Sequence, residues 1–140
     1  IEPSGTRIVN SETDKALKNE KLSFLKKYIS YLYAYDSSTF DLKISQAGDL
    51  MSAELWKEKR DEFQKLSVKL KADELSQSAT IVDLREIDQE NYQADLLLKI
   101  NRKLQEIPVK LRVNFTVKNS KREQINPYPF QVVQYVENQY

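Results

Sequence analysis

The sequence predicts an α+β domain, with helices in its first half and a meander of antiparallel strands in its second. Two observations predict this. Apolar residues recur at spacings of three and four at Leu22, Leu25, Ile29 and Leu32, and the period changes to two after Ser76-Gln77-Ser78. The alternating runs are joined by short polar turns, which only antiparallel neighbours can use. The chain of 140 residues can bury a core of its own, and 40% hydrophobic against 31% charged residues is the balance of a globular protein.

Residues 1–13 hold Pro3, Gly5 and Asn10 without periodicity and are expected to be an extended lead-in to a folded domain spanning 14–140. The first helix is expected near Thr13-Asp14, where a capping side chain precedes a charged turn. Leu22, Leu25, Ile29 and Leu32 then share one helical face, with Phe24, Tyr28, Tyr31 and Tyr35 as a second stripe beside it. Asp36-Ser37-Ser38-Thr39 interrupts this pattern and can cap a short helix from Phe40, which Gly48-Asp49 ends. Ser52 offers the next cap, with Glu54 in the first turn and Leu55, Trp56, Phe63, Leu66 and Leu70 on the buried side.

About four strands follow. Thr80–Ile87 turns through Asp88-Gln89-Glu90-Asn91 into Tyr92–Ile100, and Ile107–Val117 alternates apolar with polar residues throughout. Phe130–Val136 is the last. Tyr92, Leu96, Leu98, Leu111, Val113 and Phe115 form the predicted core face of this antiparallel sheet, which packs on the long first helix.

Composition excludes several chemistries. Cysteine and histidine are both absent, so disulfides, thiolate nucleophiles, histidine bases and Cys or His metal sites are ruled out. Gly5 and Gly48 are the only glycines, which leaves no glycine-rich phosphate loop. Twenty-two basic residues against twenty-one acidic ones give a net charge of +1, far from the field of a nucleic-acid binder. No apolar run approaches the ~20 residues of a membrane helix. The chain opens on Ile1-Glu2-Pro3-Ser4-Gly5 without a Met, and is expected to follow an N-terminal membrane anchor that the sequence does not include.

The segment Ile125-Asn126-Pro127-Tyr128-Pro129-Phe130-Gln131-Val132-Val133-Gln134-Tyr135 carries a resemblance. It resembles the Asn-Pro-x-Gly loop and final strand of component eight of VirB-type type IV secretion systems, and the element order is similar to that of TraE-like conjugation proteins. Pro129 stands where the family motif has glycine, and proline cannot supply the positive φ that glycine allows. The resemblance implies a nuclear transport factor 2-like cone, with helices packed on a curved sheet. It also implies a single-pass inner-membrane protein whose C-terminal domain faces the periplasm. Its implied role is non-catalytic assembly of the secretion channel, through a weak homodimer or higher oligomer and contacts with other components, with no cofactor.

Four groups of side chains were candidates for contact or chemistry. Tyr31, Tyr35 and Tyr28 form either a docking stripe or a cover for the sheet within one monomer, whereas Tyr33, opposite the main stripe, is expected at an exposed or interface position. Asn126, Pro127, Tyr128 and Pro129 form either a stiffened contact loop or a turn that merely aims the last strand; the resemblance favours contact. Lys57, Lys59, Arg60, Lys65, Lys69 and Lys71 are interleaved with acids, which favours a solvated, salt-bridged face over a nucleic-acid track. Asp83, Glu86, Asp88 and Glu90 lack the spacing of a calcium loop and are read as acidic turns. The alternative function is a small-molecule-binding or enzymatic domain of the same cone fold, which a polar interior would favour.

Overall fold

The structure, a computed structural model, describes the backbone of residues 3–140 and the side chains from Lys15 onward. The first helix, α1, runs Pro3–Tyr33. It therefore starts well before the expected cap at Thr13, and the lead-in is helical from Pro3 rather than extended. Pro3 and Gly5 both lie in its first turns, where a missing N–H and a flexible backbone are tolerated. No proline or second glycine follows until Gly48, so nothing breaks the helix at Thr13.

Helix α1 ends where Tyr35 and Asp36 leave it as a two-residue strand, β1 (Tyr35–Asp36). Asp36 and Thr39 then close the turn that leads into the next helix, α2 (Phe40–Asp49), by bonding each other reciprocally. The Asp36 carboxylate accepts from the backbone N–H of Ser38 and Thr39 at 2.8 and 2.9 Å, and the Thr39 hydroxyl accepts from the Asp36 N–H at 3.0 Å. The Ser38 hydroxyl, which donates to the Asp36 carboxylate at 2.7 Å, and then the Thr39 and Ser38 N–H groups hold that carboxyl below its usual range. Helix α3 (Ala53–Asp73) has the predicted cap: Ser52 Oγ accepts from Leu55 N–H at 3.2 Å. Where α2 meets α3, Gly48 lies so close to Trp56 that a Cβ would stand 2.8 Å from its ring.

The sheet consists of β1 and four long strands, β2 (Ser76–Glu86), β3 (Asn91–Arg102), β4 (Gln105–Asn119) and β5 (Phe130–Gln139). Its spatial order is β1-β2-β3-β4-β5, every pair antiparallel. Strand β2 begins at Ser76 rather than Thr80, because Ser76, Gln77 and Ser78 pair with Asn101, Ile100 and Lys99. A bulge between Ile81 and Asp83 expels Val82, which is 65% exposed. Among the described residues, no strand lies on the outer side of β2 beyond Gln77. The other edge is closed at one point, where Ser52 N–H donates to Val132 O and Val132 N–H to Leu50 O, both at 2.9 Å.

The sheet curls around α1 and gives the predicted nuclear transport factor 2-like architecture. Tyr92, Ala94, Leu96 and Leu98 of β3 and Leu111, Val113, Phe115 and Val117 of β4 are all buried on the concave face. Phe24, Leu25, Tyr28, Ile29 and Leu32 of α1 fill it from the other side, with the Tyr28 ring edge-on to Phe115 at 5.9 Å. Each such side chain moved out of water contributes roughly 1.5–3 kcal/mol, so this seam is what holds helix to sheet. The convex face is polar. Asp95 accepts from Arg112 Nε at 2.7 Å and from Arg85 at 3.1 Å, while Gln93 bridges Arg85 to Asn114.

Candidate interaction site

The sequence singled out the tyrosine stripe, and the structure distributes it unevenly. Tyr28 is fully buried, and its hydroxyl has no hydrogen-bond partner among the described residues. Tyr33 is 4% exposed, which corrects the expectation that it faces outward. The curled sheet brings β5 across the end of α1, and the Tyr33 hydroxyl donates to Glu137 Oε2 at 2.5 Å. Burial, and then the neighbouring Glu137 carboxylate, push the Tyr33 hydroxyl pKa well up. Tyr31 and Tyr35 are half-buried. Tyr31 lies under Lys43, 5.8 Å from the ring centroid, and Tyr35 stands edge-on to Phe40 at 4.7 Å. Burial raises the Tyr35 hydroxyl to about 12.

The Asn-Pro loop is built inward. Asn126 is 7% exposed; its Nδ2 donates to Phe130 O at 2.8 Å, and its Oδ1 accepts from Tyr128 N–H at 3.0 Å. That turn swings Tyr128 back against α1, edge-on to Phe24 at 5.4 Å and beneath Lys27 at 5.9 Å. Arg122 ties the loop to the helix, donating to Pro127 O at 2.8 Å and to Glu20 at 2.7 Å. Pro127 and Ile125 remain exposed. The loop thus presents Pro127 and Ile125 to solvent from a base fixed by Asn126 and Tyr128.

The remaining candidates separate. On α3, Lys71 pairs with Asp41 of α2 at 2.7 Å, and Lys59 stands 4.8 Å over the Tyr135 ring. The acids of β2 and its turn do not converge. Asp83 pairs with Arg85, Glu86 pairs with Lys18 at 3.2 Å, and Asp88 holds the turn by accepting from Glu90 and Asn91 N–H at 2.9 Å.

One feature was not legible in the sequence: a cleft of about 830 Å³ between α1 and the end of the sheet. Leu17, Tyr92, Val117 and Phe130 supply its apolar base, and Lys18, Glu86 and Glu90 are among its polar lining. Lys21 donates to Gln89 O at 3.0 Å and rests over the Phe130 ring at 5.2 Å. Burial, with Glu86 as the second cause, raises the Tyr92 hydroxyl to about 12. Its residues come from α1, the β2–β3 turn, β4 and the start of β5. The spacing of Lys18 and Lys21 on one helix face was the only sequence signal.

No family model matches the sequence, and no curated protein matches it either. Solved structures do match. The VirB8 protein of Agrobacterium tumefaciens superposes with a TM-score of 0.76 over 89% of this chain and 94% of its own, at 10% identity. The soluble domain of the TrwG type IV secretion machinery from Bartonella grahamii gives 0.70 over 86% and 93%, at 12% identity. The periplasmic domain of DotI gives 0.67 over 84% and 91%, at 13% identity. The sequence identities are low while the backbones superpose over almost all of each of these structures, so this chain has the fold shared by these type IV secretion proteins.

Proposed function

We propose that this chain is the periplasm-facing domain of a type IV secretion or conjugation component, which assembles the transfer channel and catalyses no reaction. The observation that carries this reading is the superposition on secretion-system proteins over more than four-fifths of the chain. The interior is consistent with it: the concave face of the sheet is filled by Leu, Val, Phe and Tyr side chains from both layers. No described helix is long and apolar enough to cross a membrane. The domain acts by associating with itself and with other inner-membrane components. The Asn126–Pro129 loop is one contact element and exposes Pro127, while Tyr31 and Tyr35 are partly accessible at the other end of α1.

The alternative reading, a small-molecule-binding domain, draws on the cleft beside α1. That cleft lies between α1 and the end of the sheet, and the superposition on secretion proteins favours the assembly reading over it. The test uses the full gene product in its native cell. Deleting the gene should abolish transfer of the system's substrate, and tagged protein should co-purify with other channel components from inner membranes. Normal transfer without the gene would overturn the proposal.

A further inference from the structure

The β3–β4 hairpin ends in a two-residue turn, Lys103-Leu104. Two-residue hairpin turns favour glycine or asparagine wherever a central residue takes positive φ. Here Lys103 sits at φ 54, and Leu104 is 104% exposed, fully in solvent. Local turn chemistry selects neither residue, and a strained turn that displays a large apolar side chain points to a contact. The exposure continues along the finger. Ile107 is 45% exposed, β5 stops opposite Leu111, and the Tyr140 N–H donates to Lys110 O at 3.2 Å, so among the described residues no strand lies on that side of β4 from Gln105 to Val109. Arg102 and Lys103 flank the tip and enter no ion pair among the described residues, while Lys99 pairs with Glu106 at 3.6 Å.

The cleft has the opposite character at the opposite end of the sheet. Strand β3 runs from Asn91, beside the cleft, to Arg102 at the finger, a separation of roughly 35 Å at about 3.3 Å per residue. Its base is apolar, and Asp88 and Glu90 of the neighbouring turn carry carboxylates with no ion pair among the described residues. Lys18 and Lys21 also face it, but Lys18 is held by Glu86 and Lys21 by Gln89 O. Its 830 Å³ is within the range of about 300–1,000 Å³ that encloses a compact ligand.

We propose that copies of this chain associate head to tail, with Leu104 of one copy seated in the cleft of the next and Arg102 and Lys103 meeting Asp88 and Glu90 at its rim. This rests on the self-assembly reading above and gives it a geometry. Two different patches at opposite ends make a heterologous contact, which yields a ring if the rotation closes and a filament if it does not. A second copy is the occupant because one chain carries both the basic, apolar finger and the apolar cleft with an acidic turn.

The absence of cysteine makes the test clean. Leu104→Cys and Gln89→Cys chains, mixed and mildly oxidised, should give a mixed disulfide dimer, and the double variant should give a ladder. Leu104→Asp should weaken concentration-dependent sedimentation by ~10-fold or more, the loss expected for one desolvated apolar anchor, with an unchanged melting temperature. Glu90→Lys should weaken it too, and Lys103→Glu in the neighbouring copy should restore it. Cross-linking only between Leu104→Cys copies, or association indifferent to Leu104→Asp, would overturn the head-to-tail geometry while leaving self-assembly standing. A strict monomer at millimolar concentration would remove both.

Discussion

Deleting the hydroxyl oxygen of Tyr28 and, separately, that of Tyr33 is expected to move stability in opposite directions. Both rings are buried near the end of β5, and a Phe would occupy nearly the same volume in each place. They differ in what the hydroxyl meets. Tyr28 finds no partner among the described residues, so folding strips its hydroxyl of water without return, a cost of about 1–3 kcal/mol. Tyr28→Phe should therefore stabilise the domain by about 1 kcal/mol. The Tyr33 hydroxyl donates to Glu137 at 2.5 Å, and a hydrogen bond to a charged group contributes about 1.5–3 kcal/mol. Glu137 is solvent-accessible and can recover water, which places Tyr33→Phe near the lower end, about 1–2 kcal/mol destabilised. Urea unfolding of the three proteins, compared at equal m, measures both values. Destabilisation of Tyr28→Phe by more than about 1 kcal/mol, or shifts of the same sign, would refute the reasoning.

Four further predictions follow from named contacts. Asp95 is held at about 2, first by its hydrogen bond from Arg112 and then by Arg85. A carboxyl whose folded pKa is depressed stabilises the fold above its unfolded value of about 3.9 and ceases to do so as pH falls towards 2. Asp95→Asn should flatten the acid slope between pH about 4 and 2 relative to the unmodified chain, as urea midpoints against pH would report. Gly48→Ala should destabilise, despite a gain of about 1 kcal/mol in helix propensity, because the new Cβ meets the Trp56 ring at 2.8 Å; a raised melting temperature would contradict this. Lys59→Ala should cost about 0.5–2 kcal/mol rather than nothing, since its ammonium stands 4.8 Å over Tyr135, and Tyr135→Leu should remove the difference in a double-mutant cycle. Asn126→Ala should cost about 1–3 kcal/mol by leaving Phe130 O and Tyr128 N–H short of a partner, with a lower thermal midpoint as the readout.

The sheet was legible because alternation in Tyr92–Ile100 and Ile107–Val117 fixes which face is buried, and a one-residue error would invert every side chain. Ser52 was legible because a cap acts within one turn. The start of α1 was not, since Thr13-Asp14 has the chemistry of a cap but nothing beside it stops the helix already running from Pro3. The burial of Tyr33 is hidden from the sequence for a different reason. Helical spacing gives its angle on α1, but its burial depends on β5 crossing that end, more than a hundred residues away. The Asn-Pro loop was found by its prolines, whereas its anchoring to α1 through Arg122 and Tyr128 depends on tertiary contacts. The cleft lay furthest from reach, because four segments contribute to it and none has a motif of its own.

The bulge that expels Val82 has a consequence for solubility. The outer edge of β2 carries Thr80, Ile81 and Val82, residues of high strand propensity, and among the described residues no strand pairs with it beyond Gln77. An edge of that composition, if flat, is a template on which another chain can add and begin aggregation. The extra residue at Val82 twists the strand and breaks the even spacing of its outward N–H and C=O groups. Deleting Val82 would let Ile81 and Asp83 run on in one register with β3 and straighten that edge. The shortened domain would retain its core, yet it should aggregate sooner on heating, with light scattering rising before the unfolding midpoint. In this sense the irregularity in β2 protects the monomer before any partner is met.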